Sequence, residues 1–390
     1  MSVTAAKGFV AAGAACGIKA SGEPDLALVA TADSAPVPAA AVFTRNRAPG
    51  APVQVSRVHL FATGGRAAAV VVSSGNANAA TGPEGVANAE RMCVLVGEEL
   101  GVAASAVLVC QTGIIGVPLP MAPLETGIPA LVAARADGPG AAERAARAIM
   151  TTDTVPKQVD IEATGFTVGG MAKGAAMLAP DLATMLAVLT TDAACTPDAL
   201  AGALRHAVAD TFNLLSVDGS TSTNDTVVAL ASGLSGTTPS GTELTGALGE
   251  ACGELASMMA ADAEGATKVL SVVVTGASSE ADARRAARRV ADSLLVKCSI
   301  NGEDPYWGRV VSELGSADVA FDPDLVEVAY GDVVVCRGGV AAAHDDTALR
   351  ARMQGPAIEL RCDLGLGTGR ATILGTDLGH GYIDENRTTS

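Results

Sequence analysis

The feature that most restricts the fold is a set of short apolar runs that contain no charged residue. Residues 67–73 (AAAVVVS) and 269–275 (VLSVVVT) are two examples, and glycines lie close to both. Valine-rich runs of this length predict β-strands, and the lack of alternation predicts sheets that are covered on both faces. Longer Ala- and Leu-rich segments with helical spacing separate the runs. We therefore expect a layered α/β fold in which β-sheets lie between helices.

Three segments carry helix signals. Thr196 has the side chain of an N-cap, and Pro197 then occupies the first helical position. Another helix is expected to follow a cap at Ser279 and to run to about Lys297. A helix between these two is indicated by apolar residues at helical spacing, namely Leu244, Leu248, Cys252, Leu255 and Met259.

The net charge limits the classes of binding partner, and the cysteine pattern indicates the redox compartment. The 26 basic and 42 acidic residues give a net charge of −16, which argues against binding to nucleic acid or to an anionic membrane surface. The eight cysteines include no CxxC pair and approach no zinc-ligand spacing, so we expect a reducing cytoplasm and no metal site. No apolar run is long enough to cross a bilayer. The glycine-interrupted segment 1–19 predicts a buried first strand, and the arginines at 284, 285, 288 and 289 predict a solvated helix face.

Two polar tracts and a few isolated motifs are candidates for chemistry. Tracts 73–79 (SSGNANA) and 218–226 (DGSTSTNDT) are either surface loops that aid solubility or loops that build a site. The glycine-rich segment 365–369 lacks the Lys-Ser/Thr of a phosphate-binding loop. The four histidines are dispersed and no Gly-x-Ser-x-Gly motif accompanies them, which argues against a Ser/His/Asp enzyme.

The sequence allows two interpretations of the role of Thr184. It lies in segment 169–192 between small and apolar residues, as a threonine in a core strand would. Alternatively, its hydroxyl attacks the carbonyl of Ala183 and cleaves the chain into 1–183 and 184–390. The liberated α-amine, with an ordinary pKa of about 8, would then be the general base for the hydroxyl of the same residue.

A series of motifs in order along the chain carries a family resemblance. They are segments 8–22, 74–79, 111–116, 151–154, 173–174, 183–186, 218–220, 262–265, 304–309 and 385–386. With them, essentially the whole sequence resembles the ornithine acetyltransferases of arginine biosynthesis, also called glutamate N-acetyltransferases. Tyr306 departs from the pattern, since the family usually has Asn there.

The resemblance implies an N-terminal-nucleophile-like fold and a catalytic cycle. Self-cleavage between Ala183 and Thr184 would give an α chain, 1–183, and a β chain, 184–390, that form one catalytic unit. Thr184 would then carry the acetyl group from N2-acetyl-L-ornithine to L-glutamate. Thr112 and Gly113 match the family's oxyanion hole. From the residues alone, they would form a tight turn after a strand that ends near Cys110.

The resemblance also implies a set of substrate-binding residues. Lys173 would bind an α-carboxylate and Glu264 an amino group. From the residues alone, Glu264 is equally a helix-end carboxylate, and 386–390 equally a frayed tail. Whether Thr151 or Thr152, and Ser390 or Thr389, contacts the substrate depends on the alignment. The implied substrate-binding set is Thr151, Lys173, Thr184, Glu264, Asn386 and Ser390.

No metal or organic cofactor is implied, and the resemblance suggests a cytoplasmic homo-oligomer of cleaved protomers acting on small amino acids. Two rival functions stay open. One is an N-terminal-nucleophile amidohydrolase or aminopeptidase, in which water accepts the acyl group. The other is an uncleaved, non-catalytic amino-acid-binding protein. Family members also differ in whether they accept acetyl-CoA as a donor.

Overall fold

The computed structural model describes residues 2–178 and 185–387. Thr184 and Ala183, together with Thr389 and Ser390, therefore lie outside the described residues. The described chain forms two compact units. The first takes the chain up to residue 213 together with 220–259, and the second takes 214–219 and the chain from 260 onward.

The strands and helices follow one another throughout the chain. The strands are β1 (Phe9–Ala14), β2 (Leu26–Thr31), β3 (Val37–Phe43), β4 (Arg66–Ala67), β5 (Ala69–Asn76), β6 (Val107–Ile114), β7 (Lys157–Ala163), β8 (Phe166–Lys173), β9 (Leu186–Thr191), β10 (Leu215–Ser216), β11 (Thr226–Ala231), β12 (Val269–Ala277), β13 (Glu327–Tyr330), β14 (Val333–Arg337), β15 (Val340–Ala341), β16 (Ala357–Asp363) and β17 (Gly369–Thr376). The α-helices are α1 (Ala51–Ala62), α2 (Gly82–Leu100), α3 (Met121–Ala133), α4 (Pro139–Ala148), α5 (Pro197–Ala209), α6 (Gly241–Ala261), α7 (Glu280–Ala291), α8 (Leu294–Asn301), α9 (Trp307–Gly315), α10 (Asp346–Met353) and α11 (His380–Glu385).

The first unit is a layered sandwich. One sheet has the strand order β1-β2-β5-β6, and the other has the order β4-β3-β11-β9-β8-β7. Valines from both sheets share a core, among them Val70 of β5 and Val188 of β9. Helices α1 and α2 cover the other face of the first sheet, where Met92 belongs to a second core. Helix α5 packs on β3, and Leu255 of α6 lies against Gly170 of β8. The expected arrangement of sheets between helices is confirmed.

The second unit is built on a sheet of order β10-β17-β12-β16-β13-β14-β15. Strand β12 pairs in parallel with β16 and antiparallel with β17. Helix α7 packs on β12 and β17, where Val290 is buried beside Val272 and Ile373. Strand β16 alternates buried and exposed residues, as expected for a strand with one covered face.

Most local predictions match these elements. The run 67–73 lies in β4 and β5, the run 269–275 lies in β12, and the first segment contains β1. The Thr196 hydroxyl accepts the N–H of Ala199, so the predicted cap of α5 is confirmed. The predicted helix from Ser279 to Lys297 is wrong, because the chain forms α7 and then α8. The Ser293 hydroxyl accepts the N–H of Val296 and so begins the second helix.

Candidate functional site

The start of β9 is the place where the predicted nucleophile joins the described chain, since Leu186 follows Thr184 by two residues. Strand β9 lies between β8 and β11 in its sheet. Leu186 is paired with Lys173, the last residue of β8, on one side and with Thr226, the first residue of β11, on the other. The register therefore brings the carboxyl end of β8 and the amino end of β11 beside Leu186, the first residue of β9.

A buried ionic cluster stands at the end of β8. The Lys157 ammonium lies 2.7 Å from Oδ1 of Asp153, and the Lys173 ammonium lies 3.8 Å from Oδ2. The Gly174 N–H also donates to Oδ1 at 2.7 Å. Burial alone would raise the pKa of the Asp153 carboxyl, but the two lysines and the N–H donors outweigh it and lower the pKa to about 2. Asp153 therefore remains a carboxylate that holds both lysines.

The same carboxylate positions the backbone of Thr151. The Thr151 N–H donates to Oδ2 of Asp153 at 3.1 Å, and the Thr151 residue is partly buried. Thr152 is exposed. The structure therefore brings Thr151 and Lys173 together through Asp153, a residue to which the sequence analysis gave no role.

Thr112 and Gly113 lie within β6, which continues to Ile114. The alternative of a strand that ends near Cys110, followed by a tight turn, is wrong. The pairing of β5 with β6 shifts at this point, next to Gly75. Gly113 has φ +130°, and a Cβ atom there would lie 2.3 Å from the carbonyl carbon of Gly75. Glycine is required because the two backbones approach so closely.

The two polar tracts meet at Asn224. Its Nδ2 donates to the carbonyl oxygen of Ala77 and, at 2.9 Å, to that of Gln111. The Gln111 side chain in turn accepts from Nδ2 of Asn78 at 2.8 Å and donates to Ser73 Oγ at 3.1 Å. This buried network joins the segment before β11 to the residue that precedes Thr112. The interpretation of these tracts as simple solubilising loops is therefore wrong for the residues in the network.

Asp225 is a further buried acid beside the start of β9. Its Oδ1 accepts the N–H of Met185 at 2.9 Å, and the residue is 1% exposed. Burial raises the pKa of this carboxyl well above its ordinary value, against the opposing effects of the Met185 N–H, the Ser222 hydroxyl and the Lys173 charge. Motif reading did not select Asp225, although it lies in the polar tract 218–226.

Asp25 explains part of the glycine-rich segment near the amino terminus. Its carboxylate accepts four consecutive backbone N–H groups, from Cys16 at 2.7 Å, Gly17 at 3.0 Å, Ile18 at 2.6 Å and Lys19 at 3.0 Å. Such a cradle compensates a buried carboxylate and fixes the loop around it. The nearest sequence signal was the glycine spacing of the segment, which does not reveal the acid that it surrounds.

Lys19 lies close enough to the ionic cluster to interact with it electrostatically. Burial lowers the pKa of Lys19, the charge of Lys173 lowers it further, and Asp25, Glu23 and Asp153 oppose the shift. The Lys19 ammonium donates to the carbonyl oxygen of Pro24 at 2.7 Å. The loop that Asp25 holds therefore contributes a third lysine to the surroundings of Asp153.

The second unit brings together Glu264 and Asn386. Asn386 follows α11 and donates from Nδ2 to Oε2 of Glu264 at 2.8 Å. The Tyr382 hydroxyl donates to Asp218, and a Cβ on Gly265 would lie 2.0 Å from the Tyr382 nitrogen. The alternative of a frayed tail is therefore wrong at Asn386, which α11 and Glu264 hold in place. Ser390 and Thr389 lie outside the described residues.

Three other features concern the part of the chain that the structure describes. No three His, Cys, Asp or Glu side chains come together there as metal ligands would. None of the helices described is both long and apolar enough to cross a bilayer. Three arginines of α7 form ion pairs: Arg284 lies close to Glu280, Arg285 lies close to Asp282, and Arg289 Nε is 2.8 Å from Glu313. The interpretation of that cluster as a solvated helix face is confirmed for Arg285 and Arg289, which are exposed, whereas Arg284 and Arg288 are half-buried.

Comparison with known proteins identifies close relatives. The family model described as "ArgJ family" matches residues 10–388. The chain is 50% identical over 392 aligned positions to the arginine biosynthesis bifunctional protein ArgJ of Mycolicibacterium paratuberculosis, covering 98% of this chain and 95% of that protein. It is 47% identical to the protein of the same name from Thermobifida fusca, covering 99% of each.

One solved structure among those similar to this chain is an ornithine acetyltransferase from Mycobacterium tuberculosis, complexed with ornithine. It is 47% identical, with a TM-score of 0.44, and the match covers 46% of this chain and 94% of that chain.

Proposed function

This chain belongs to the ArgJ family, and from that premise we propose that it moves the acetyl group of N2-acetyl-L-ornithine to L-glutamate in arginine biosynthesis. The observation that carries the proposal is the pairing of Lys173 with Leu186 at the start of β9. It sets a buried cation beside Leu186, which follows Thr184 by two residues in the sequence. Both substrates carry an α-carboxylate, which such a cation binds.

The chemistry we propose uses Thr184 twice. Its hydroxyl first attacks the Ala183 carbonyl, and hydrolysis of the resulting ester leaves chains 1–183 and 184–390. The free α-amine of Thr184 then takes the hydroxyl proton while the oxygen attacks the acetamide of the donor. The proton passes to the departing amine, and glutamate removes the acetyl group in the reverse sequence.

Thr112 and Gly113 are proposed to stabilise the tetrahedral intermediates. The Thr112 hydroxyl and the Gly113 N–H are the donors we assign to the developing oxyanion. Each preorganised donor of this kind is worth about 3–4 kcal/mol in a site without water. The buried network of Asn224 and Gln111 supports the assignment, because it fixes the backbone directly before Thr112.

For the substrate, we assign the α-carboxylate to Lys173 and Thr151, and the free amino group to Glu264 and Asn386. Thr151 is preferred to Thr152 because its backbone is bonded to Asp153, which also holds Lys173. Ser390 and Thr184 complete the proposed substrate contacts. The protein is further proposed to be a cytoplasmic homo-oligomer of cleaved protomers.

A second donor is proposed on the basis of the relatives, which carry the word bifunctional in their names. In this second activity acetyl-CoA would acetylate Thr184 and glutamate would again be the acceptor. Comparing N-acetylornithine with acetyl-CoA at a fixed glutamate concentration tests it. Acetylglutamate formed from N-acetylornithine alone would restrict the protein to the cyclic transfer.

The main proposal is tested by an intact-mass measurement followed by an acetyl-transfer assay. We expect two chains that divide at Ala183 and Thr184, whereas a single 38.6 kDa species would indicate an uncleaved binding protein. The purified protein is then incubated with N-acetylornithine, with and without glutamate. Equal release of acetate in both reactions would identify an amidohydrolase. Formation of acetylglutamate in the reaction that contains glutamate, with little acetate released in the other, supports the transferase. Thr184→Ala is expected to abolish both cleavage and turnover.

A further inference from the structure

Asp225 and Thr226 hold Met185 from the same side of β9. The Asp225 carboxyl accepts the Met185 N–H at 2.9 Å, and the Thr226 N–H donates to the Met185 carbonyl oxygen at 3.1 Å. Asp225 is itself fixed, because its own carbonyl oxygen accepts the Thr44 N–H at 2.9 Å. Both polar groups of the Met185 backbone are therefore bonded to the segment that begins β11.

The position of this contact restricts the residue before it. The Met185 nitrogen is covalently bonded to the carbonyl carbon of Thr184, and standard bond lengths keep neighbouring backbone nitrogens within about 3.7 Å of each other. A group that holds the Met185 N–H therefore holds one end of the peptide that follows Thr184. Oδ2 of Asp225 is buried, and no described residue meets the distance and angle of a hydrogen bond to it, although the Ser222 hydroxyl is close enough to lower the pKa of this carboxyl. Such an atom needs an explanation, because an unsatisfied buried acceptor is unfavourable.

We propose that Asp225 is a positioning residue for self-cleavage, which holds the peptide after Thr184 with a carboxyl group in its neutral form. The inference rests on the proposed function, since it presumes that Thr184 attacks Ala183. Asp225 acts through the Met185 backbone, so its effect is on the orientation of the nucleophile and on the charge beside the reaction.

The cleavage step explains why a neutral group is needed. The Thr184 oxygen forms an ester bond to the Ala183 carbonyl carbon, the bond from that carbon to the Thr184 nitrogen breaks, and the hydroxyl proton ends on the liberated nitrogen. The tetrahedral intermediate between these states carries an oxyanion. A carboxylate at Asp225 would repel that oxyanion, whereas a protonated carboxyl accepts the Met185 N–H without adding negative charge.

The surroundings of Asp225 favour the neutral form. The residue is buried, and burial raises its pKa well above the ordinary value. The facing cation is Lys173, whose ammonium is 3.8 Å from the carboxylate of Asp153, which also binds Lys157. Because Asp153 neutralises part of this positive charge, Lys173 only partly opposes the effect of burial. A second charged group near this segment is Arg57 of α1. Its guanidinium donates at 2.8 Å to the carbonyl oxygen of Thr44, the residue whose N–H is bonded to Asp225.

The test uses two substitutions at one position. Asp225→Asn keeps an oxygen that accepts the Met185 N–H and is neutral at every pH, so it mimics the protonated carboxyl. Asp225→Ala removes the acceptor. Each full-length chain is made by cell-free translation, synthesis is stopped, and conversion of the 390-residue chain into two chains is followed at a series of pH values.

We expect Asp225→Ala to slow cleavage by about 10- to 100-fold, the size of effect expected when a reacting group is misplaced. Asp225→Asn should cleave close to the wild-type rate at low pH. As the pH rises through the pKa of Asp225, the wild-type rate should fall relative to the Asp225→Asn rate, because only the wild type acquires the negative charge. Because both chains share the remaining chemistry, its pH dependence cancels in the ratio of the wild-type rate to the Asp225→Asn rate.

Asp192→Asn is the matched control. Asp192 is a buried acid that follows the opposite end of β9, and it accepts backbone N–H groups from Thr167 at 2.8 Å and Lys7 at 3.3 Å. The ratio of the wild-type cleavage rate to the Asp192→Asn cleavage rate should therefore be the same at every pH. Wild-type cleavage in Asp225→Ala, or slow cleavage in both Asp225 variants, would overturn the inference.

Two further measurements separate the possible failures. Melting temperatures show whether Asp225→Ala folds, and if it does not, the pH profile of Asp225→Asn decides alone. A flat ratio of wild-type to Asp225→Asn rates overturns the role of the neutral carboxyl. Failure of the wild-type chain to cleave would instead refute the proposed function, with Thr184→Ala as the uncleaved reference.

Discussion

The ammonium group of Lys157 lies 2.7 Å from Oδ1 of Asp153, and the side chains of both residues are wholly shielded from solvent. Lys173, at the end of β8, shares the same carboxylate. One buried acid therefore contacts two buried cations, so its removal would take a carboxylate away from both of them.

Replacing Asp153 with Ala is expected to destabilise the protein strongly. Lys157 and Lys173 would lose their carboxylate, and breaking a buried ion pair by removing one partner costs about 3–5 kcal/mol. Urea unfolding of the wild type and of Asp153→Ala measures the loss. Asp332→Ala is the control, because the pair of Asp332 with Arg352 is exposed and should contribute little. Equal stability of the Asp153→Ala variant and the wild type would contradict the structure.

Acid should weaken the first unit through the same residue. The pKa of Asp153 is about 2 when folded and 3.8 ordinarily, so the folded chain binds fewer protons than the unfolded chain between these values. The stabilisation is thus fully present above pH 3.8 and is lost as the pH falls toward 2. Unfolding free energies of the wild type and Asp153→Asn should converge over this range. A difference between them that does not change with pH would count against the assignment.

Gly113→Ala is expected to disrupt both local structure and turnover. Its Cβ would lie 2.3 Å from the Gly75 carbonyl carbon, so the β5 and β6 backbones would have to separate. The comparison is Gly116→Ala, which also has positive φ but has no atom within 4 Å of the added Cβ. Both variants have a backbone strain of about 1–3 kcal/mol, and only Gly113→Ala adds the clash. Melting temperatures and acetyl-transfer rates should therefore fall further for Gly113→Ala than for Gly116→Ala.

Glu264→Gln should impair turnover without affecting cleavage. The amide oxygen can still accept from Asn386, so the packing of α11 remains, but the negative charge proposed to bind an amino group is lost. We expect a raised KM for N-acetylornithine and a normal yield of the two chains. Glu359→Gln provides the control, because Glu359 is exposed on β16 of the same unit. An unchanged KM in Glu264→Gln would remove Glu264 from the proposed binding site.

Local signals predicted elements well where one segment contains all the information. The Thr196 cap and the following Pro197 describe the start of α5 without reference to the rest of the chain. The division of α7 from α8 was missed, although Ser293 is a capping residue, because the helical pattern of apolar residues continues past it. A weak local cap competes there with a strong periodic pattern, and the sequence alone does not reveal which of them prevails.

The site was only partly predictable for a different reason. The family motifs directed attention to Thr112, Lys173 and Glu264, but Asp153, Asn224 and Asp225 acquire their roles from pairing between distant strands. Met185 and Asp225 are 40 residues apart, and only the parallel alignment of β9 with β11 makes them neighbours. The pairing of strands in the second unit was equally hard to predict, because the partners of β12 come from segments far along the chain.

The strand order of the second sheet in the first unit has a consequence for the cleaved protein that we propose. Reading across it, β4 and β3 precede position 184, β11 and β9 follow it, and β8 and β7 precede it again. A cut before Thr184 would therefore give two polypeptides that share one hydrogen-bonded sheet. The strands of 184–390 would lie in the middle of this sheet, with strands of 1–183 on both sides of them. Neither fragment can leave without dismantling the shared ladder, so mixed preparations of two tagged versions should exchange fragments no faster than the whole protein unfolds.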